Sequence, residues 1–240
     1  MCGPVPVIKS HTLPSNVTLN KKGVQLKART APGFHTRQHT PDDLVKTITH
    51  YLSGNMEERQ QKAFDSFEEW EGPIHPRKSK ITLRRYFLFF DTVLFAGSLK
   101  PFTQVQFASD VDPGKTLGHT SFAPDSLPDK PLVNISLAID LPTFDPEAPE
   151  EQGRAILPVL LHEMVHAFLL LYHCHCESCL EESVTKLGIT WHGDAWEALA
   201  IKISDFTSYA LADLEVSGIR SGLQDELAAL REAAFRPRLH

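Results

Sequence analysis

The chain of 240 residues contains no apolar run long enough to cross a bilayer. Its best candidate, Tyr86–Leu99 (YFLFFDTVLFAGSL), is too short and carries Asp91, so it reads as a buried amphipathic helix. The amino terminus, MCGPVPVIKSHTLPS, lacks the charged-then-apolar order of a secretory signal. An intracellular location, nucleus or cytoplasm, is the expectation. Cysteine is scarce: Cys2 stands alone, and the other three crowd together as Cys174, Cys176 and Cys179. That is not the spaced framework of a disulfide-stapled secreted domain, and the thiols are expected to be reduced. No internal repeat, zinc-ribbon pattern or ubiquitin-binding pattern is visible. What remains is an ordinary globular composition, 42% hydrophobic and 22% charged, sufficient for one sizeable core.

Acidic residues are missing from two stretches. Residues 1–39 hold Lys9, Lys21, Lys22, Lys27, Arg29 and Arg37 and no acid, although the whole chain carries a net charge of -6. This arm is rich in Pro, Thr and His without hydrophobic periodicity, and is expected to be disordered in isolation. Either it solvates the molecule or it lies along a polyanion such as DNA. The second stretch, 77–85, contains Arg77, Lys78, Lys80, Arg84 and Arg85. It reads as a further phosphate-contacting surface, or as a helix edge whose charged heads stay in water.

The folded domain is expected over 40–216, followed by a short helical tail over 217–240. Thr40-Pro41-Asp42-Asp43 has the composition of a helix start, and Leu44, Ile48 and Leu52 follow at helical spacing. Further helices are predicted over 56–70 and 81–96. The pattern then changes to short β-type runs over 102–107, 116–122 and 133–139, separated by turn residues. Pro158 suggests that the next helix kinks or begins near Ala155. The segment 173–187, opening with HCHCESC, interrupts the pattern, and a long helix is predicted over 193–216.

Within LPVLLHEMVHAFLLLY (157–172), three polar side chains interrupt an apolar helix: His162, Glu163 and His166. Histidines four apart project from one helical face, where two imidazoles can converge on one metal ion. Burying them unpaired would cost several kcal/mol, roughly, and a divalent cation removes that penalty. Zinc suits such ligands, and a catalytic zinc site takes three protein ligands. His192, in ITWHGDAW, is the third candidate, with Glu181, Glu182 and Glu197 as carboxylate alternatives. Glu163, beside the ligands, is the candidate general base. Tyr172, His173, His175 and Tyr209 are candidates for a second oxyanion donor, without grounds for ranking.

Taken together, YFLFFDTVLFAGSL, the short strand region, LLHEMVHAFL and HGDAW resemble the SprT-like, Spartan-related metallopeptidase domain over about residues 40–215. The resemblance implies an α+β, zincin-like core in which a small β-sheet packs on helices around a central HExxH helix. It also implies zinc ligands at His162, His166 and His192, a catalytic Glu163, and a substrate protein trapped on DNA. Recruitment motifs and the zinc ribbon of such proteins have no counterpart here. Two other classes fit much of the sequence: a zinc-stabilised DNA-binding or scaffold protein without catalysis, and a peptidase independent of DNA. Glu163 speaks for an enzyme, because a purely structural site needs no carboxylate beside its ligands. A second metal site at Cys174, Cys176 and Cys179 is disfavoured, since its ligands come from one short segment without a second paired element.

Overall fold

The computed structural model describes residues 18–19, 25–26, 34–68, 80–109, 111, 116–127, 131–138 and 149–210. The architecture is mixed α+β, with six helices and a three-stranded sheet among the described residues. A two-stranded antiparallel pair, β1 (Thr18–Leu19) with β2 (Gln25–Leu26), falls within the basic arm. The predicted tail, Arg77 and Lys78 lie outside the described residues.

Helix α1 (Pro41–Ser53) begins as its sequence dictates: Thr40 is the N-cap, and its Oγ1 accepts from Asp43 N at 3.2 Å. Leu44, Ile48 and Leu52 are buried along one face. Helices α2 (Glu58–Glu68) and α3 (Lys80–Leu94) follow, joined by stacking of Phe67 on Phe89 with ring centroids 4.2 Å apart. Asp91 is buried because it caps the turn after α3, accepting from Leu99 N at 2.8 Å and Lys100 N at 2.9 Å. Burial pushes its carboxyl up to about 6.

The sheet comprises β3 (Thr103–Ala108), β4 (Gly118–Phe122) and β5 (Val133–Ala138) in the order β3-β5-β4. Central β5 pairs parallel with β3 and antiparallel with β4, with Val105 and Thr120 both opposite Ile135. Its near-continuous burial fits a strand covered on both faces. Strand β4 is an edge, alternating inward Gly118, Thr120 and Phe122 with exposed His119 and Ser121.

Helix α4 (Pro149–Tyr172) lies against β4 and β5, with α6 (Asp194–Ala210) also packed on it. Leu160, Leu161, Met164, Val165, Phe168 and Leu169 are fully buried around it. Of the two readings of Pro158, a start near Ala155 does not occur: the helix begins at Pro149 and takes Pro158 into its interior. Segment 173–187, read as an interruption, instead contains α5 (Glu177–Leu187). Ligand-type residues at its start mask an ordinary helical run from Glu177 onward.

Residues 34–39, counted with the arm, pack on the end of α4. Arg37 N donates to Leu171 O at 3.0 Å and His39 N to Tyr172 O at 3.1 Å, satisfying carbonyls that a helix end leaves orphaned. Phe34 packs edge-on against Phe168, with centroids 5.2 Å apart. Among the described residues, no helix is long and apolar enough to cross a membrane.

Candidate metal centre

His162 and His166 project from α4, one turn apart, and His192 reaches them from the turn between α5 and α6. Their Nε2 atoms form a triangle, with sides of 3.0 Å (His162 to His166), 3.2 Å (His166 to His192) and 3.2 Å (His162 to His192). A neutral imidazole nitrogen either carries a proton or presents a lone pair. Of three nitrogens in mutual contact, at least two are therefore alike, and hydrogen bonding among them cannot satisfy every contact. The conflict disappears if all three present lone pairs to one cation. Tetrahedral zinc, with Zn–N bonds of about 2.0–2.1 Å, sets its nitrogens about 3.3 Å apart, close to this triangle. Burial, then the neighbouring His162 and His192, holds His166 well below the ordinary histidine range, so it is neutral and able to ligate.

The three imidazoles rest on Trp196. Its fully buried indole lies 4.8 Å from the His162 ring, 5.5 Å from His166 and 4.7 Å from His192, measured between centroids. The turn carrying His192 is fixed by its backbone: Gly193 N donates to Leu187 O at 2.7 Å. A Cβ at Gly193 would lie 2.6 Å from Gly188 N and Leu187 C, which only glycine avoids. Trp191, just before the ligand, holds a positive φ of 65°, an uncommon conformation for a bulky residue.

Glu163 is 4% exposed and shares the cavity with the three histidines. Thr120 Oγ1 lies 2.7 Å from Glu163 Oε2 and 3.0 Å from Glu163 O; its single hydroxyl proton serves the nearer carboxylate. Burial raises the Glu163 carboxyl to about 7, while the Thr120 hydrogen bond pulls the other way. Gly118 permits this approach of strand and helix, since a Cβ there would come within 3.0 Å of Glu163 Cγ and Oε1. The cavity, about 430 Å³, is lined by Thr116 and by β4 from Gly118 to Phe122, and also by Thr190, Trp191 and His192.

The structure thus brings together all four residues singled out in the sequence. No carboxylate joins the histidine cluster among the described residues. The side chains of Glu181 and Glu182 lie outside the described residues, as does that of Tyr209. The other suggested oxyanion donors do not line the cavity. Tyr172 is buried with its hydroxyl donated to Ser98 O at 2.7 Å, and His173 Nδ1 donates to Leu169 O at 2.7 Å. His175 Nε2 donates to Leu170 O at 3.2 Å. Thr120, Gly118 and the platform role of Trp196 carried no local signal. Arg84 and Arg85 are exposed on α3 and do not line the cavity. Arg37, by contrast, sits 5.1 Å from the ring centre of cavity-lining Phe122, so the basic arm joins the domain at the cavity rim. Comparison of the chain with protein-family models, curated proteins and solved structures finds no match.

Proposed function

We propose that this chain is a zinc-dependent endopeptidase with a zincin-like, SprT-type core, and that it cleaves proteins associated with or crosslinked to DNA. The observation that carries the catalytic half is the pairing of a three-imidazole cluster with a buried carboxylate that is not one of the ligands. Zinc held by His162, His166 and His192 would supply a Lewis acid that acidifies water and polarises a carbonyl. Glu163 would take the proton from the attacking water and return it to the leaving amine. Burial raises its carboxyl in the metal-free site, and a bound cation beside it would pull it back towards the ionised form that a base needs. Thr120 holds the carboxylate in place through both roles. The open edge of β4 would take an extended peptide by strand addition, with its polar backbone groups directed along the cavity.

The DNA half rests on charge. The acid-free arm meets the domain beside Phe122, so a phosphate backbone held by the arm would pass the cavity rim. A nuclear or cytoplasmic setting belongs to the same proposal.

The test is cleavage of a DNA-crosslinked protein, with and without free DNA, by the parent and by Glu163→Gln. The amide keeps size and cannot accept the proton, so metal content should persist while cleavage falls by about 10²-fold or more. Activity within a few-fold of the parent would remove the base role. Loss of metal as well would make Glu163 structural. Equal cleavage of proteins free of DNA would leave a peptidase without a DNA function.

A further inference from the structure

Three cysteines that the peptidase proposal leaves unused lie together. Cys174 follows α4, Cys176 is the N-cap of α5 and Cys179 stands in its first turn. Their sulfurs all lie within 4.8 Å of one another, and Cys174 Sγ to Cys176 Sγ measures 3.1 Å. Exposure grades from exposed Cys176 through half-buried Cys174 to buried Cys179. The sequence disfavours a site here because one short segment must supply every ligand. The fold removes that objection. Cys174 N donates to His39 O at 2.8 Å, which anchors the chain as it leaves α4, and Cys179 N donates to Cys176 O at 3.0 Å as the chain enters α5. The corner therefore folds its three thiols towards one point without a second segment.

Packing alone explains this poorly. Thiol hydrogen bonds are weak, and a buried cysteine ordinarily behaves as a small apolar group. Convergence at a helix N-terminus, whose dipole favours negative charge, is what a thiolate ligand set requires. Tetrahedral zinc, with Zn–S bonds of about 2.3 Å, places its sulfurs about 3.8 Å apart, so Cys174 and Cys176, now at 3.1 Å, would part slightly to take it while all three stay within the 4.8 Å span.

The geometry points to a second metal site, formed by Cys174, Cys176 and Cys179, that takes zinc or another thiophilic d¹⁰ cation. Binding would displace the thiol protons to solvent, and three protein ligands would leave the fourth position to water. The site clamps the corner between α4 and α5. Helix α5 ends at Leu187, to which the His192 turn is tied through Gly193, so the clamp holds the element behind the third histidine. It does not depend on the peptidase reading.

Full-length protein purified without chelators and loaded with zinc should hold two equivalents by elemental analysis. An organomercurial, which displaces metal from thiolates and leaves imidazole-bound metal in place, should release one. Cys174→Ser and Cys176→Ser, at positions that are not buried, should each hold one equivalent and release none to the mercurial. His162→Ala should lose the other. Cobalt-loaded parent should show sulfur-to-cobalt charge-transfer absorption in the near ultraviolet, absent from Cys176→Ser. One equivalent in the parent, unchanged by either serine variant, would overturn the site. So would an intact mass two hydrogens short in protein kept under argon, which would mark a Cys174 to Cys176 disulfide instead. Failure of the peptidase reading shows separately, in the activity of Glu163→Gln.

Discussion

Glu163 is set between two opposing influences, and Thr120 is the one that can be removed. Burial lifts its carboxyl while the hydroxyl of Thr120 favours the ionised form. A hydrogen bond to a charged group contributes about 1.5–3 kcal/mol, and about 1.4 kcal/mol corresponds to one pKa unit. Thr120→Val should therefore raise the Glu163 pKa, and if Glu163 is the base of the proposed peptidase, which must be ionised to act, the acid limb of the activity profile should move to higher pH by about one to two units. Metal content should not change. An acid limb that stays in place would show that the hydroxyl only packs. His162, Glu163 and His166 were legible as a local string because the two histidines repeat at the helical turn. Thr120 was not: it lies in a strand far along the chain, and a threonine in a strand carries no mark of what stands opposite it.

Among the elements, α5 and the turn after it show where sequence patterning stopped. The start of α1 was readable from Thr40 and Pro41, and the three strands were readable within a few residues because turn residues bound them. Helix α5 was hidden by HCHCESC, since cysteines and histidines suggest ligands before they suggest secondary structure. Gly193 permits a close backbone approach, and the contact with Leu187 and Gly188 is what requires it. Gly193→Ala should force the turn away from α5, at a cost of about 1–3 kcal/mol, and weaken metal binding through His192. Gly54→Ala is a suitable control, because its Cβ would meet only His50 O at 3.7 Å. Thermal denaturation and a metal titration should separate the two variants; equal behaviour would mean the turn has slack that its geometry does not suggest.

At the scale of the molecule, charge is divided between the arm and the body. A net charge of -6 would repel nucleic acid if it were spread evenly, so the proposed DNA binding would have to come from the acid-free stretches 1–39 and 77–85. Affinity for DNA should fall with salt at a slope of about -0.9 per neutralised phosphate on duplex, or about -0.7 on single strands. Deleting 1–33 should flatten the slope while sparing the packed segment around Phe34 and Arg37. Charge reversal at Arg84 and Arg85 should weaken binding further. Anisotropy across a salt series that is indifferent to both changes would sever the link to DNA and leave the metal chemistry untouched. This division was visible in the sequence because it needs only counting; the place where the arm meets the cavity was not, because the contact of Arg37 with Phe122 joins distant parts of the chain.

The indole beneath the three imidazoles would make metal binding there visible to light. Tryptophan emission responds to the protonation and ligation of imidazoles in ring contact, and Trp196 contacts all three. Loading the protein with zinc should change its intrinsic fluorescence, and cobalt, whose absorption can accept the excitation energy, should quench it more strongly. Trp196→Phe should lose the part of both responses that comes from the indole in contact with the imidazoles, leaving that of cavity-lining Trp191. Occupancy of the centre could then be followed in real time, without label or substrate, while DNA or a peptide is added.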